Sequence, residues 1–161
     1  MKTRRLIAAA LAAAALVLTG CGRADTAAVV DGQVITESGV LAASEQVAEY
    51  ATQPLPPADI VNRLVVLPAV LEVLEDRGVT ISDAAARSAV SGINDPAPYL
   101  LDLARLDLAI GQMTQEDMQN AIGLLQEAEV EVNPRYGTFD PEQAAVVATQ
   151  PDWIVGATPS Q

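Results

Sequence analysis

The sequence predicts a mostly α-helical domain of about five helices, with a small β element formed by an N-terminal hairpin and a strand near residues 128–132. Three patterns carry this prediction. Apolar residues recur at steps of 4 and 3 over Ile60, Leu64, Leu67, Leu71 and Leu74, and again over Tyr99, Leu103, Leu106, Ile110 and Met113, the period of one helix face. Near the start, Asp31-Gly32 separates Val29-Val30 from Val34-Ile35, and this dipeptide suits a type I′ turn because both of its residues need positive φ. After Glu127 the period changes to strict alternation, with Ala128, Val130 and Val132 set against Glu127, Glu129 and Glu131.

Residues 1–20 read as an export signal. Lys2, Arg4 and Arg5 precede an apolar run from Leu6 to Leu18 that is too short to span a bilayer comfortably, and small residues follow. Leu18-Thr19-Gly20-Cys21 then resembles a bacterial lipobox. The resemblance implies that the Cys21 thiol takes a diacylglycerol, that the signal is cut before it, and that the protein is lipid-anchored at the extracytoplasmic face of the cell membrane. It also accounts for a single cysteine in an exported chain, where no internal disulfide is possible. Residues 21–26 are the tether, short enough to hold the domain near the bilayer.

The full chain has 161 residues and a formal charge of −12. Without the signal, 141 residues remain, with six basic side chains against twenty-one acidic ones, a charge of −15. That length suffices for one sizeable core. The charge argues against nucleic acid as a partner and against adhesion to anionic lipid beyond the covalent anchor.

Thr36 is a natural N-cap for a helix carrying Val40, Ala43, Val47 and Tyr50. Pro54, Pro56 and Pro57 forbid helix and favour an extended connector. The long helix within 58–82 follows, with Ala58 or Asp59 as its cap and Gly78 as its stop. Val61, Val65, Val70 and Val73 flank its seam, so it belongs at the centre of the domain. Pro68 lies inside it, which predicts either a kink near Leu64 to Leu67 or two shorter helices meeting there.

Ser82 caps the next, short helix, with Asp83 in its first turn. The helix of Tyr99 to Met113 carries Asp102, Arg105 and Gln112 on its far side, and Met113 reads as core filler. Thr114 and Asp117 approximate a capping box for a helix whose buried face is expected at Met118, Ile122 and Leu125. The strand after Glu127 is the natural third strand for the hairpin, because an isolated hairpin is marginal in water. Its glutamates point one way with no loop ligands, which fits a solvated face rather than a metal site. Asp140-Pro141-Glu142-Gln143 suits a helix start, whereas Ala145 to Thr149 suits extended chain. Trp153 is expected to dock on the domain, and 156–161 to be frayed.

Three segments are similar to the N-terminal domain of the SurA/PrsA family of extracytoplasmic folding factors. They are Val29-Val30-Asp31-Gly32-Gln33-Val34-Ile35-Thr36, the helix closing on Glu75-Asp76-Arg77-Gly78 before Val79-Thr80-Ile81-Ser82-Asp83, and Val130-Glu131-Val132-Asn133-Pro134-Arg135-Tyr136-Gly137. The resemblance covers 27–137, leaving 138–161 as a C-terminal extension. About fifty residues are needed for a further domain, so no parvulin-type prolyl isomerase is expected and that activity is not implied. What the resemblance implies is chaperone-like holding of unfolded exported polypeptides.

Composition excludes much else. With no histidine and one cysteine, Ser-His-Asp and Cys-His catalysis and most zinc sites are out of reach, and no glycine-rich phosphate loop is present. No enzyme, cofactor or metal is expected. Apolar side chains beyond the needs of one seam, Val61, Val65, Val66 and Val70, together with Leu55 in the proline loop, are the candidate client-binding residues, the alternative being that the four valines are simply core. Few aromatics and methionines leave a second reading open, an adaptor or structural lipoprotein that binds one folded envelope partner.

Overall fold

The computed structural model describes residues 24–50 and 53–149. The signal, the lipobox residues Leu18, Thr19, Gly20 and Cys21, and Trp153 with the tail after it lie outside the described residues. Among the described residues the chain runs β1 (Thr26–Val30), β2 (Gln33–Thr36), α1 (Glu37–Tyr50), α2 (Pro57–Asp76), α3 (Asp83–Ala89), α4 (Pro98–Ile110), α5 (Gln115–Glu127), β3 (Val130–Val132), β4 (Thr138–Asp140) and β5 (Ala145–Val147). The fold is mostly α with a small antiparallel β element.

Strands β1 and β2 close on Asp31 and Gly32 with φ of 47° and 80°, the two positive values of a type I′ turn. Strand β3 lies on the other edge of β1, giving the order β2-β1-β3, with Val29 opposite both Val34 and Glu131. One face, with Ala28, Val30 and Ile35, enters the core, while Glu129, Glu131 and Val34 stay in water. The alternation of β3 and the third-strand expectation both hold.

Helix α1 starts where Thr36 Oγ1 accepts the Gly39 N–H at 3.3 Å. The Asp25 carboxylate accepts the Ser38 N–H at 2.7 Å and its hydroxyl at 2.6 Å, which brings a charge to the positive end of the helix. Buried Val40 and Ala43 turn inward, with Val47 half-buried.

Helix α2 is the centre, packed against α1, α4, α5, β1 and β5. Ile60, Val61, Leu64, Val65, Leu67, Val70, Val73 and Leu74 are all buried on it. Its cap lies two or three residues before the expected Ala58 or Asp59: Pro56 is the cap and Pro57 the first helical residue. The reason is that the first-turn N–H groups have no intrahelical partner anyway, so a proline there loses nothing and its fixed φ favours the turn. Pro68 interrupts neither end, and the helix is one piece rather than two. Its C-terminus is a Schellman motif: Val79 N–H reaches Leu74 O at 2.8 Å and Gly78 N–H reaches Glu75 O at 2.8 Å, with Gly78 at φ 76°.

Ser82 Oγ accepts the Ala85 N–H at 3.2 Å and starts α3 as expected. Helix α4 buries Leu103 and Leu106 from the expected seam and adds Leu100, Ala104 and Ala109. Ile110 leaves the seam at 47% exposed, whereas Met113, past the helix end at Gly111, packs half-buried against the core as the expected filler.

Helix α5 corrects the sequence reading more strongly. Thr114 and Asp117 form the full capping box, but Met118 and Ile122 are 50% and 41% exposed, and the buried face is Asp117, Ala121 and Leu125. The helix is turned by one residue because Arg77, at the end of α2, pairs with Asp117 and small Ala121 lets α5 close on Leu67, Val70 and Leu74.

The segment after Gly137 takes the extended alternative. Strands β4 and β5 pair as a second hairpin, Phe139 opposite Val146. Phe139 packs toward Ala69, Leu125 and Ala144, and Val146 N–H donates to Asn62 Oδ1 of α2 at 2.8 Å. Just before it, Arg135 pairs with Glu37 and lies over the buried Tyr136 ring.

Candidate binding groove

The proline loop between α1 and α2 is pinned by the Ser44 hydroxyl, which donates to Leu55 O at 3.2 Å. This turns Leu55 toward α4 and opens a groove of about 460 Å³ whose apolar wall includes Val47, Leu55, Val90, Leu100, Leu103 and Leu108. A second hollow of about 310 Å³ shares Val47, Ala89, Val90 and Leu100 with the first and continues past Ile93. The two form one trough across α1, α3 and α4. At one end Arg63 of α2 bonds Asp107 of α4 at 3.0 Å. At the other, Gln46 donates to Asp95 O at 3.0 Å and accepts from Ala97 N–H at 2.8 Å, which fixes the loop before α4.

Of the sequence candidates, the groove takes Leu55 alone. Val61 and Val65 are fully buried and Val70 is 3% exposed, because the sheet and the neighbouring helices cover α2 on nearly all sides. They are core, and no client reaches them in this conformation. Val66 is half-buried against Leu124, on the α5 side of α2, away from the groove. The residues that sequence reasoning missed, Val47, Val90, Leu100 and Leu108, sit near the ends of helices whose partners no single-sequence pattern names. The signal was an apolar side chain at the end of the short, alanine-rich α3, where little is left to cover it.

Charge elsewhere is largely committed to structure. Arg63, Arg77, Arg105 and Arg135 each pair with a carboxylate. The Thr114 N–H and hydroxyl, and then Arg77, hold the Asp117 carboxyl below the ordinary aspartate range against the opposing effect of its burial. Burial pushes Asp102 up, with Arg105 acting in the other direction. Among the described residues no group of three or more histidine, cysteine or acidic side chains comes together to hold a metal ion. Among the same residues no helix is long and apolar enough to cross a membrane. Compared with known proteins, the chain matches no family, no curated protein and no solved structure.

Proposed function

We propose that the protein is a membrane-anchored extracytoplasmic lipoprotein that holds extended apolar segments of exported, unfolded polypeptides, chaperone-like and without catalysis. The observation that carries this reading is the open apolar trough containing Leu55. Its size lies within the range of about 300–1,000 Å³ typical of ligand sites, room for a few aliphatic side chains of an extended chain. The lipobox at Cys21 supports the anchoring, and the resemblance of 27–137 to the SurA/PrsA N-terminal domain supports the client class.

One observation favours the second reading, an adaptor for a single folded envelope partner. The apolar lining of the larger hollow is leucine, valine and alanine with no methionine or aromatic residue, and adaptable surfaces draw on those softer side chains.

The two readings separate in an aggregation assay. The full chain in neutral detergent is expected to suppress aggregation of several unrelated unfolded clients near stoichiometric ratio, without nucleotide and without accelerating proline isomerisation. Leu55→Asp should weaken the suppression and leave the melting temperature within a few degrees, whereas Val61→Asp should abolish folding. Suppression of none of the clients by a folded protein would transfer the assignment to the adaptor. Anchoring is tested by mass spectrometry of the membrane fraction: an acylated Cys21 is expected, and an unmodified one would end the lipoprotein reading.

A further inference from the structure

We propose that the trough selects apolar segments flanked by lysine or arginine over the same segments flanked by acidic residues; this rests on the peptide-holding reading above. Twenty-one acidic residues against nine basic ones give the chain a charge of −12, and the excess is visible at both ends of the trough. At the α2 end, Arg63 is already bonded to Asp107, and exposed Asp59 stands one helical turn before it. At the other end, exposed Asp95 is tied to Gln46 through its backbone carbonyl, and exposed Glu49 follows Gln46 by one turn of α1. Arg87, one turn before Val90, is the exposed basic group of α3, and Arg105 of α4 is already bonded to Asp83 and Asp102. With Arg63 and Arg105 committed to carboxylates, Asp59, Asp95 and Glu49 outnumber Arg87 around an apolar floor. A segment entering the trough buries its apolar residues and leaves its flanks at these rims, where a cation is attracted and an anion repelled.

The groups at the rims are exposed, so the preference must be modest and screened by salt. The test uses three labelled peptides with one common apolar core, flanked on both sides by lysine, by serine or by glutamate, titrated against the full chain in neutral detergent by fluorescence anisotropy. At low salt the lysine peptide is expected to bind about three-fold or more tighter than the serine peptide, and the glutamate peptide correspondingly weaker. The spread should collapse at about 0.5 M salt, where the screening length is only a few ångströms. Asp95→Asn combined with Glu49→Gln should narrow the spread; an unchanged spread would overturn the rim assignment. Equal binding of all three peptides would overturn the charge selection while leaving peptide holding intact. Binding of none would remove the peptide-holding reading itself.

Discussion

Asp31 and Glu129 exchange two hydrogen bonds across a sequence separation of 98: the Asp31 N–H donates to Glu129 O at 2.9 Å, and the Glu129 N–H donates to Asp31 Oδ1 at 2.9 Å. The turn of the first hairpin is thereby fastened to the entry of β3. Asp31 must also hold a φ of 47°, which aspartate and asparagine tolerate better than alanine. Asp31→Ala is expected to cost about 1–2 kcal/mol, and Asp31→Asn, which keeps both the oxygen and the backbone tolerance, much less. Denaturant titrations of the two variants check this, and equal losses would deny the side-chain bond its role.

A second prediction concerns Gly39. A Cβ there would lie 2.5 Å from Cε2 and 2.8 Å from Cδ2 of Tyr99, and Tyr99 cannot withdraw freely because its hydroxyl accepts the Thr36 N–H at 2.9 Å. Gly39→Ala is therefore expected to destabilise by about 1–3 kcal/mol, although alanine favours helices. A gain in melting temperature would show that α1 and α4 are not in such close contact.

Stability should fall in acid through named groups. Asp117, Asp25 and Asp140 are held below the ordinary value of 3.8 by hydrogen bonds from Thr114, Ser38 and Gln143 respectively. A carboxyl lowered on folding contributes stability that is fully present above its unfolded pKa and is lost as pH falls through its folded one. Thermal melts should thus decline below about pH 4, partly offset by Asp102, whose carboxyl is raised and prefers the neutral form. Asp117→Asn should lower the melting temperature at neutral pH and flatten the acid decline. A decline as steep as that of the wild type would acquit the capping box.

Ending the chain at Gly137 removes the second hairpin, and with it Phe139 and Ala144 from the contacts around Ala69 and Leu125. The bond from Val146 N–H to Asn62 goes too. A loss of roughly 2–4 kcal/mol is expected from the half-buried apolar area, read as a lower denaturant midpoint. An unchanged midpoint would make the hairpin an appendage.

What the sequence made legible were features specified by local chemistry. The Asp31-Gly32 turn, the Ser82 and Thr114 caps and the Gly78 stop each depend on a backbone demand that few residues satisfy. The third strand followed from alternation plus the need of a lone hairpin for a neighbour. What stayed hidden depends on which surfaces meet. Helix α5 has apolar residues on two sides, and the pairing of Arg77 with Asp117 together with the packing of small Ala121 among Leu67, Val70 and Leu74 goes with Ala121 rather than Ile122 turning inward. The valines of α2 could not be sorted into covered and open from their own spacing, because the cover comes from β1, α4 and α5. Leu55 was readable as a candidate because three prolines keep it out of any helix, and it does line the groove; its neighbours across the trough were not, since they come from three separate elements.

Strand β1 has a neighbour on each edge, β2 on one and β3 on the other, and this has a mechanical meaning if the chain is held by its N-terminal side, as proposed above. A pull applied ahead of Thr26 runs along the strand, so the bonds to both neighbours bear it together in shear instead of parting one at a time. The clasp of Asp31 with Glu129 at the far end resists slippage of the same strand. Strand β5, by contrast, pairs with β4 alone. Single-molecule pulling from the N-terminal side should accordingly rupture the domain at a higher force than pulling from Thr149, so a tether on that side, as proposed, would load the end best able to take strain.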